Sequence, residues 1–282
     1  MPELPEVEST RLTLVPHVVG RRVVEVRSGR RDYALGRGDR AATARELLLD
    51  GTITGIKRRG KLMWALAADG RAMAMHLGMS GEMRIVAPGA AIDPAFDGPA
   101  SHVHVAWTLD DGTRWLFRDP RRFGGVWCAA SEAEINERFV RRLGPDGLTV
   151  TGDELWGELH VSRRAVKAAL LDQSIVAGVG NIYADEALFE TQIHPRKFGT
   201  RLTREQVERL SAAIRAILAA AVREGGSTLR DYRDASGAPG RAQAAHKAYG
   251  RGGEACVRCG AVLKSTTVAQ RTTVLCPVCQ RR

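Results

Sequence analysis

The sequence contains no apolar stretch long enough to cross a membrane and no secretion signal at its start. The longest apolar run near the C-terminal half, residues 216–222, has seven residues, whereas a membrane-spanning helix needs about 20. The first residues have neither the basic nor the apolar region of a signal peptide. With 282 residues and 44% hydrophobic content, the chain is expected to be a cytoplasmic globular protein of one or two domains with no membrane partner.

Cysteine is scarce, so a disulfide framework is not expected in a reducing compartment. There are five cysteines, and four of them form two Cys-x2-Cys pairs that are 16 residues apart: Cys256, Cys259, Cys276 and Cys279. Two such pairs can place four thiolates tetrahedrally around zinc, the alternative being a redox pair or chance spacing. The pattern predicts one structural Zn²⁺ that holds a small β-hairpin, and no organic cofactor. Cys128 stands alone among apolar residues and is expected in a core.

Acidic residues are outnumbered by basic ones, 32 against 42, which gives a net charge of +10. This excess predicts an anionic partner, and nucleic acid fits better than a membrane surface because no lipid anchor is present. The imbalance is strongest in the last 43 residues, where Glu254 is the only acid among eight basic residues. The predicted zinc module is therefore cationic and suited to neutralising phosphates.

Alternating apolar residues predict antiparallel strands in the first 135 residues. Residues 73–77 alternate after an Asp-Gly turn at 69–70, and residues 103–109 and 115–117 alternate around a second Asp-Gly turn at 111–112. Alternation that brackets such a turn is typical of a β-hairpin. Several hairpins in sequence favour a two-layer antiparallel sandwich.

Helical patterns flank and follow this β-region. Pro5 suits a first helical turn and Pro16 is expected to end that helix at about residue 15. After a predicted linker the chain turns helical, with a capping-box spacing at Thr203 and Gln206 and a stop at Gly225. Two shorter helices are predicted over 167–173 and 182–190, with a glycine turn at 178–181 between them.

The predicted fold class is α+β, with an N-terminal antiparallel β-sandwich flanked by helices and a C-terminal helical domain that carries a β-hairpin zinc finger. The predicted segments are 1–135, a linker at 136–150, a helical domain at 151–240, and the finger at 241–282. Part of the polar stretch 227–253 is expected to be a mobile loop.

Short motifs in a fixed order carry a family resemblance that spans nearly the whole chain. They are PELPEVE at 2–8, RRGK at 58–61, HLGMSG at 76–81, DPRRFG at 119–124, GVGNIY at 178–183 and Gln270–Arg271 before the second cysteine pair. This set resembles formamidopyrimidine-DNA glycosylase, the bacterial repair enzyme that excises oxidised purines. The resemblance implies a β-sandwich, a helix–two-turn–helix domain and a zinc finger, in agreement with the patterns above.

The resemblance implies a catalytic role for Pro2. Removal of Met1 would free its secondary amine, and an α-amine has a pKa of about 8, so part of it is unprotonated near neutrality. This amine would attack the sugar C1′, expel the base and form a covalent iminium, after which β,δ-elimination cuts the strand. Glu3 would assist sugar-ring opening, while Lys61 and Arg271 would bind phosphates and aid elimination. Glu6 would bind the terminus or the extruded base, or only complement the helix N-terminus.

The implied DNA-binding residues are His76, Met79, His102, Arg121, Phe123, Lys167, Asn181 and Tyr249. Flipping a base out of the duplex leaves a void, and Met79, Arg121 and Phe123 match the family residues that fill it. Core packing is the alternative for Met79 and Phe123. His76 and His102 would contact phosphates, although His102-Val-His104 also permits a metal pair.

Among the remaining implied contacts, Lys167 would lie near the damaged base and Tyr249 near the DNA backbone. Asn181 would cap its helix and present N–H groups to a phosphate. The segment 225–240 resembles the loop that caps an extruded purine, but the chain has no aromatic residue at 241–246 or 273–275, where relatives often have one.

The expected function is that of a bifunctional glycosylase and AP lyase of base excision repair, a monomer that acts on oxidised purines opposite cytosine while searching the nucleoid. Two alternatives are an endonuclease VIII-type glycosylase for oxidised pyrimidines and a non-catalytic binder of damaged DNA. Leu4, Arg121 and Phe123 favour the purine enzyme over its pyrimidine-directed relative, and the presence of Pro2 and Glu3 argues against a mere binder.

Overall fold

The computed structural model describes residues 2–28, 42–91 and 101–281, so Met1 and Arg282 lie outside the described residues. The chain divides into two compact units. The N-terminal unit comprises Met1–Arg141 and Gly225–Arg241, and the C-terminal unit comprises Arg142–Glu224 and Ala242–Arg282. No helix among the described residues is long and apolar enough to span a bilayer.

The N-terminal unit is a sandwich of two four-stranded antiparallel sheets. The strands are β1 Val23–Ser28, β2 Ile53–Arg59, β3 Leu62–Ala67, β4 Ala72–His76, β5 Glu82–Val86, β6 Val103–Leu109, β7 Arg114–Arg118 and β8 Gly125–Ala129. The strand orders of the two sheets are β1-β6-β7-β5 and β2-β3-β4-β8. The two sheets share one buried apolar cluster, in which the Trp107 and Trp115 rings stack with centroids 4.4 Å apart. Both predicted hairpins, β3–β4 and β6–β7, are confirmed.

Helix α1, Leu4–Val18, packs on this core, and the predicted stop at Pro16 is wrong because the helix continues through that residue. Leu14 and Val18 are fully buried, so apolar packing keeps the last turn helical. Proline removes only the hydrogen bond to the carbonyl of Leu12, and Leu12 is exposed, so water can satisfy that oxygen. A short helix α2, Glu132–Arg138, completes the unit.

The C-terminal unit contains the helices α3 Gly152–Leu159, α4 Val166–Leu170, α5 Asn181–Glu190 and α6 Arg204–Arg223, and the hairpin of β9 Lys264–Val268 and β10 Arg271–Leu275. The capping box predicted at Thr203 and Gln206 is confirmed, and α6 ends just before Gly225. The first short helix ends at Leu170, earlier than expected, because the Gln173 side chain binds the backbone of Leu171, Gly178 and Val179 and closes a turn.

The segment Gly225–Arg241 belongs to the N-terminal unit rather than to the helices that precede it. Ala235 is fully buried in the sandwich core. Its N–H donates to Thr13 Oγ1 at 3.1 Å and its carbonyl accepts from Ile85 N at 2.8 Å. The predicted helical domain at 151–240 included this segment. In the structure the segment packs on α1 and β5, and this long-range packing outweighs its sequence proximity to α6.

Candidate active site and nucleic-acid interface

The start of the chain is fixed inside the N-terminal unit by the carboxylate of Glu6. Pro2 and Glu3 are buried. Glu6 Oε2 accepts a hydrogen bond from Glu3 N and Oε1 accepts one from Ser227 N, both at 2.7 Å. Tyr232 adds a third tie, because its hydroxyl donates to the Glu6 carbonyl at 2.9 Å. The Glu6 carboxylate therefore joins the backbone of Glu3 to that of Ser227 and fixes the chain next to Pro2.

Lys61 and His76 form a second part of the candidate site in the N-terminal unit. Lys61 occupies the turn between β2 and β3, and the residue that follows it, Leu62, pairs with His76 on β4. Burial, together with the nearby Lys61 charge, lowers the pKa of His76 to about 4. His76 Nδ1 accepts from Gly78 N at 3.0 Å. A neutral ring that accepts at Nδ1 carries its proton on Nε2, which suits donation to a phosphate oxygen.

The three predicted void-filling residues lie on loops and are exposed. Met79 is 39% exposed and Phe123 is 53% exposed. The guanidinium carbon of Arg121 lies 5.0 Å from the centroid of the Phe123 ring, a cation–π distance. Core packing, the alternative for Met79 and Phe123, is therefore excluded.

The alternative of a metal pair at His102 and His104 is not supported by the structure. His102 is exposed, whereas His104 is buried with Nε2 2.9 Å from the Asp119 carbonyl. Among the described residues, the group that could hold a metal is the set of four cysteines. His102 remains available as a predicted phosphate contact.

The structure does not place Lys167, a predicted DNA contact, on the protein surface. Its side chain is 0% exposed, and its Nζ lies 2.6 Å from Asp185 Oδ1. The same ammonium donates to Thr273 Oγ1 at 2.7 Å and to the Thr272 carbonyl at 3.1 Å. Burial raises the pKa of the Asp185 carboxyl, and the Lys167 charge opposes that shift. Lys167 thus binds β10 from inside the C-terminal unit.

Asn181 does not cap its helix as predicted. The cap residue is Gly180, and Asn181 is the first residue of α5. Its Nδ2 donates to the Thr272 carbonyl at 3.0 Å. Asn181 and Lys167 therefore share one carbonyl on β10, which links both helices to the hairpin.

Sequence reasoning gave no role to Glu186, which organises the segment before the finger. Its carboxylate accepts hydrogen bonds from three successive backbone N–H groups, Lys247, Ala248 and Tyr249, at 2.8–2.9 Å. Tyr249, a predicted DNA contact, is thereby held in place. No sequence pattern signals this role, because the partners lie about 60 residues apart.

The four predicted zinc ligands come together at the hairpin. Their Sγ atoms all lie within 4.8 Å of one another, and a tetrahedral site with Zn–S bonds of about 2.3 Å needs S···S distances of about 3.8 Å. The Cys276 Sγ also accepts from Cys279 N at 3.3 Å, a bond typical of a thiolate knuckle. The residues fit one structural Zn²⁺ with no open position. Arg271 is exposed and begins β10, after a turn in which Ala269 and Gln270 have positive φ.

Comparisons with known proteins cover almost every part of the chain. The family model of the formamidopyrimidine-DNA glycosylase N-terminal domain matches residues 1–126, and that of its H2TH domain matches residues 143–233. The zinc finger found in FPG and IleRS matches residues 253–282. The formamidopyrimidine-DNA glycosylase of Xanthomonas campestris is 42% identical over the full length of both chains, and that of Thermomicrobium roseum is 40% identical over 99% of each.

Comparison with solved structures identifies the same family. The Fpg protein of Thermus thermophilus is 38% identical with a TM-score of 0.85, over 99% of this chain and 98% of the other. A complex of the Lactococcus lactis enzyme with DNA containing an abasic site is 31% identical with a TM-score of 0.87, over 99% and 100%. A mutant of that enzyme bound to Fapy-dG-containing DNA is 31% identical with a TM-score of 0.86, over the full length of both chains. The β-sandwich, the helical domain, the cysteine cluster and these matches show that the chain belongs to the formamidopyrimidine-DNA glycosylase family.

Proposed function

We propose that this chain is a DNA glycosylase and AP lyase of base excision repair, which removes oxidised purines from duplex DNA with Pro2 as its nucleophile. The observation that carries the proposal is the chain start: Pro2 and Glu3 are buried, and Glu6 fixes the backbone beside them with a hydrogen bond of 2.7 Å. Held in this way, an N-terminal amine loses little conformational freedom when it attacks. Full-length relatives that are named for the activity support it.

The first step is attack of the Pro2 nitrogen on C1′ after Met1 has been removed. The C1′–base bond breaks, the base leaves with the bonding electron pair and a proton, and the sugar opens as an iminium with the Pro2 nitrogen. Glu3, directly next to the amine, supplies and accepts protons during ring opening. Abstraction of a 2′ proton expels the 3′ phosphate, and abstraction of a 4′ proton then expels the 5′ phosphate.

Lys61 and His76 bind a phosphate beside the reacting sugar. The neutral His76 ring donates to the phosphate through Nε2, and the Lys61 ammonium supplies the positive charge that the neutral ring lacks. Arg271, at the start of β10, binds the flanking phosphates and assists the second elimination. In the mechanism of this family the zinc ion takes no part in bond breaking. It would stabilise the hairpin that carries Arg271.

Recognition of the lesion depends on replacing the extruded base. Met79, Arg121 and Phe123 enter the void, and the Arg121 guanidinium faces the pairing edge of the orphaned base, which gives a preference for cytosine. His102, Asn181 and Tyr249 contact the DNA backbone. The protein acts as a monomer on bacterial nucleoid DNA.

Borohydride trapping on duplex DNA with 8-oxoguanine opposite cytosine tests this proposal. Protein that mass measurement shows to lack Met1 should form a covalent adduct, and peptide mapping should locate it at Pro2. The Pro2→Gly variant should lose most base release, because a primary amine on a flexible residue is less well positioned. A matched Pro5→Ala variant should retain trapping. Normal turnover by Pro2→Gly, or an adduct at a lysine, would remove Pro2 from the mechanism.

An oxidised pyrimidine in the same duplex forms the second arm of the experiment. Faster release of the pyrimidine than of 8-oxoguanine would favour the endonuclease VIII-type alternative. Binding without any trapping would favour a damage binder.

A further inference from the structure

Two neighbouring loops carry the proposed void-filling residues. The Met79 loop comprises residues 77–81 and joins β4 to β5, and the Arg121 loop comprises residues 119–124 and joins β7 to β8. The two loops are separated by about 40 residues of sequence. Their relative position is therefore decided by tertiary contacts, and these contacts converge on one side chain, Asp119.

Asp119 is 0% exposed, and its carboxylate binds both loops. Oδ1 accepts from Ser80 Oγ of the Met79 loop at 2.7 Å and from Arg121 N of its own loop at 3.3 Å. Oδ2 accepts from Gly124 N at 2.7 Å. Ser80 Oγ also accepts from Arg121 N at 3.2 Å, so hydroxyl and carboxylate share this donor. Hydrogen bonds that involve an ionised group are shorter and stronger than neutral ones.

The Asp119 backbone is fixed as well. Its N–H donates to the His102 carbonyl at 3.0 Å, and its carbonyl lies 2.9 Å from His104 Nε2. Asp119 is thus held to the start of β6 while its side chain holds the two loops. The anchor point lies on the rigid sandwich rather than on either loop.

The two loops also touch through backbone. A Cβ on Gly78, whose φ is +60°, would lie 2.3 Å from Gly124 N, and a Cβ on Gly124 would lie 2.4 Å from the His76 carbonyl oxygen. Only glycine permits this approach at both positions. A shift of one loop therefore displaces the other.

We propose that Asp119, acting through Ser80, is a positioning residue that makes the two loops a single rigid wedge. Met79, on one loop, and Arg121 with Phe123, on the other, then enter the duplex together instead of separately. The inference rests on the proposed void-filling roles of these three residues. Preorganisation of the loops lowers the entropy cost of holding an extruded base.

The wedge matters most while the base is being extruded, because the lost stacking and pairing must then be compensated. An intact duplex with a paired lesion must lose stacking and pairing before it reacts, whereas an abasic site has no base to extrude. Loosening the wedge should therefore slow base excision from a duplex much more than cleavage at an abasic site. A general loss of fold would slow both reactions alike.

Ser80→Ala is the main variant, because it removes the hydroxyl that joins the loops and leaves the buried carboxylate its bonds within the Arg121 loop. We expect single-turnover excision of 8-oxoguanine opposite cytosine to fall about tenfold, and abasic-site cleavage to change less than about twofold. Ser80→Thr retains the hydroxyl and should restore excision. Thr108→Val is the matched control, since Thr108 Oγ1 also donates to a carboxylate, Glu25 Oε2 at 3.1 Å, away from both loops.

Asp119→Asn gives an independent second arm, because an amide retains only one acceptor oxygen for two groups of donors. It should lower excision at least as much as Ser80→Ala and should also reduce the discrimination between cytosine and adenine opposite the lesion. Equal loss on lesion and abasic substrates, or no loss in either variant, would overturn the proposal.

Arg121→Ala and Phe123→Ala separate this proposal from the one on which it rests. If these variants excise 8-oxoguanine normally, the void-filling roles fail, whatever Ser80→Ala does. If they are slow, the Ser80→Ala/Arg121→Ala double variant should lose less than the product of the two single effects, since both act on one wedge. Multiplicative effects would show that Ser80 and Arg121 act independently and would reject the coupling.

Discussion

The two compact units place predicted DNA-contact cations in different environments. In the N-terminal unit, Lys61 lies in a turn and Arg121 is exposed on a loop beside the exposed Phe123 ring. In the C-terminal unit, Lys167 is fully buried and bonded to Asp185. The family resemblance predicts that all three residues contact DNA or lie near its lesion.

The difference teaches that a basic residue in a basic protein can be buried and paired inside the fold instead of facing solvent. An exposed cation on a loop, such as Arg121, can approach DNA at little cost in desolvation. A buried ammonium has already exchanged water for a carboxylate and two oxygens of β10, so its charge is used inside the protein. The carboxylates differ too, since Asp185 binds a lysine as well as Val274 N, whereas Glu6 binds the backbone N–H groups of Glu3 and Ser227.

Removal of the zinc site should give the largest effect and should confine it to the C-terminal unit. Cys259→Ser leaves three thiolates, so structural zinc, whose binding provides about 10 kcal/mol or more of folding free energy, should be lost. DNA affinity should fall by roughly two orders of magnitude because the cations of the hairpin no longer meet phosphates together. Metal analysis and DNA-binding titration measure these two quantities.

Cys128→Ser provides the matched control, as it makes the same substitution outside the cluster and should retain zinc and affinity. The near-ultraviolet circular dichroism of the stacked Trp107 and Trp115 should be unchanged in Cys259→Ser, since this pair belongs to the sandwich. A collapse of that signal would show that loss of zinc also unfolds the sandwich.

Replacement of Lys167 sharpens the comparison directly. Lys167→Met leaves the Asp185 carboxylate buried without its cation, which should lower the free energy of unfolding by about 3 kcal/mol. Arg164→Met is the control, because the Arg164–Asp172 pair is partly exposed and should contribute about 1 kcal/mol or less. Urea unfolding measures both variants.

The double variant Lys167→Met/Asp185→Asn should recover part of the lost stability, since no unpaired charge remains buried and the amide oxygen can still accept from Val274 N. A Lys167→Met protein with wild-type stability and weak DNA binding would instead return Lys167 to the DNA contacts. That outcome would remove the contrast between the two units.

The smallest effect concerns His76, whose pKa is lowered to about 4 in the folded chain from an ordinary value of 6.5. Between these values the unfolded chain binds a proton that the folded chain does not, so stability falls as pH decreases from about 6.5 towards 4. The loss between pH 7 and pH 5 should be roughly 2 kcal/mol. Urea unfolding at both pH values should show this loss in the wild type and a smaller one in His76→Gln.

His102→Gln is the control for this measurement, because it makes the same substitution at an exposed histidine. An equal slope in His76→Gln would mean that the His76 ring is not held neutral. Its proposed donation to a phosphate through Nε2 would then need another explanation.

Local sequence patterns predicted much of the architecture. Alternation around Asp111–Gly112 identified the β6–β7 hairpin, and the Thr203–Gln206 spacing identified the start of α6, because turns and caps involve residues only a few positions apart. Local rules failed at Pro16, where core packing of Leu14 and Val18 prevailed. They failed at Asn181, where a carbonyl 91 residues away binds the side chain that was expected to cap the helix.

The sequence by itself determined the zinc ligands, the basic charge of the C-terminal segment, the hairpins and the family, since each depends on residue type and short spacing. Only the tertiary structure decided that Lys167 faces inward, that Glu6 binds Ser227, and that Asp119 joins two loops. These roles depend on partners 106, 221 and 39 residues away. Whether a charged side chain meets solvent or a buried partner is decided by packing, and packing is a property of the whole fold.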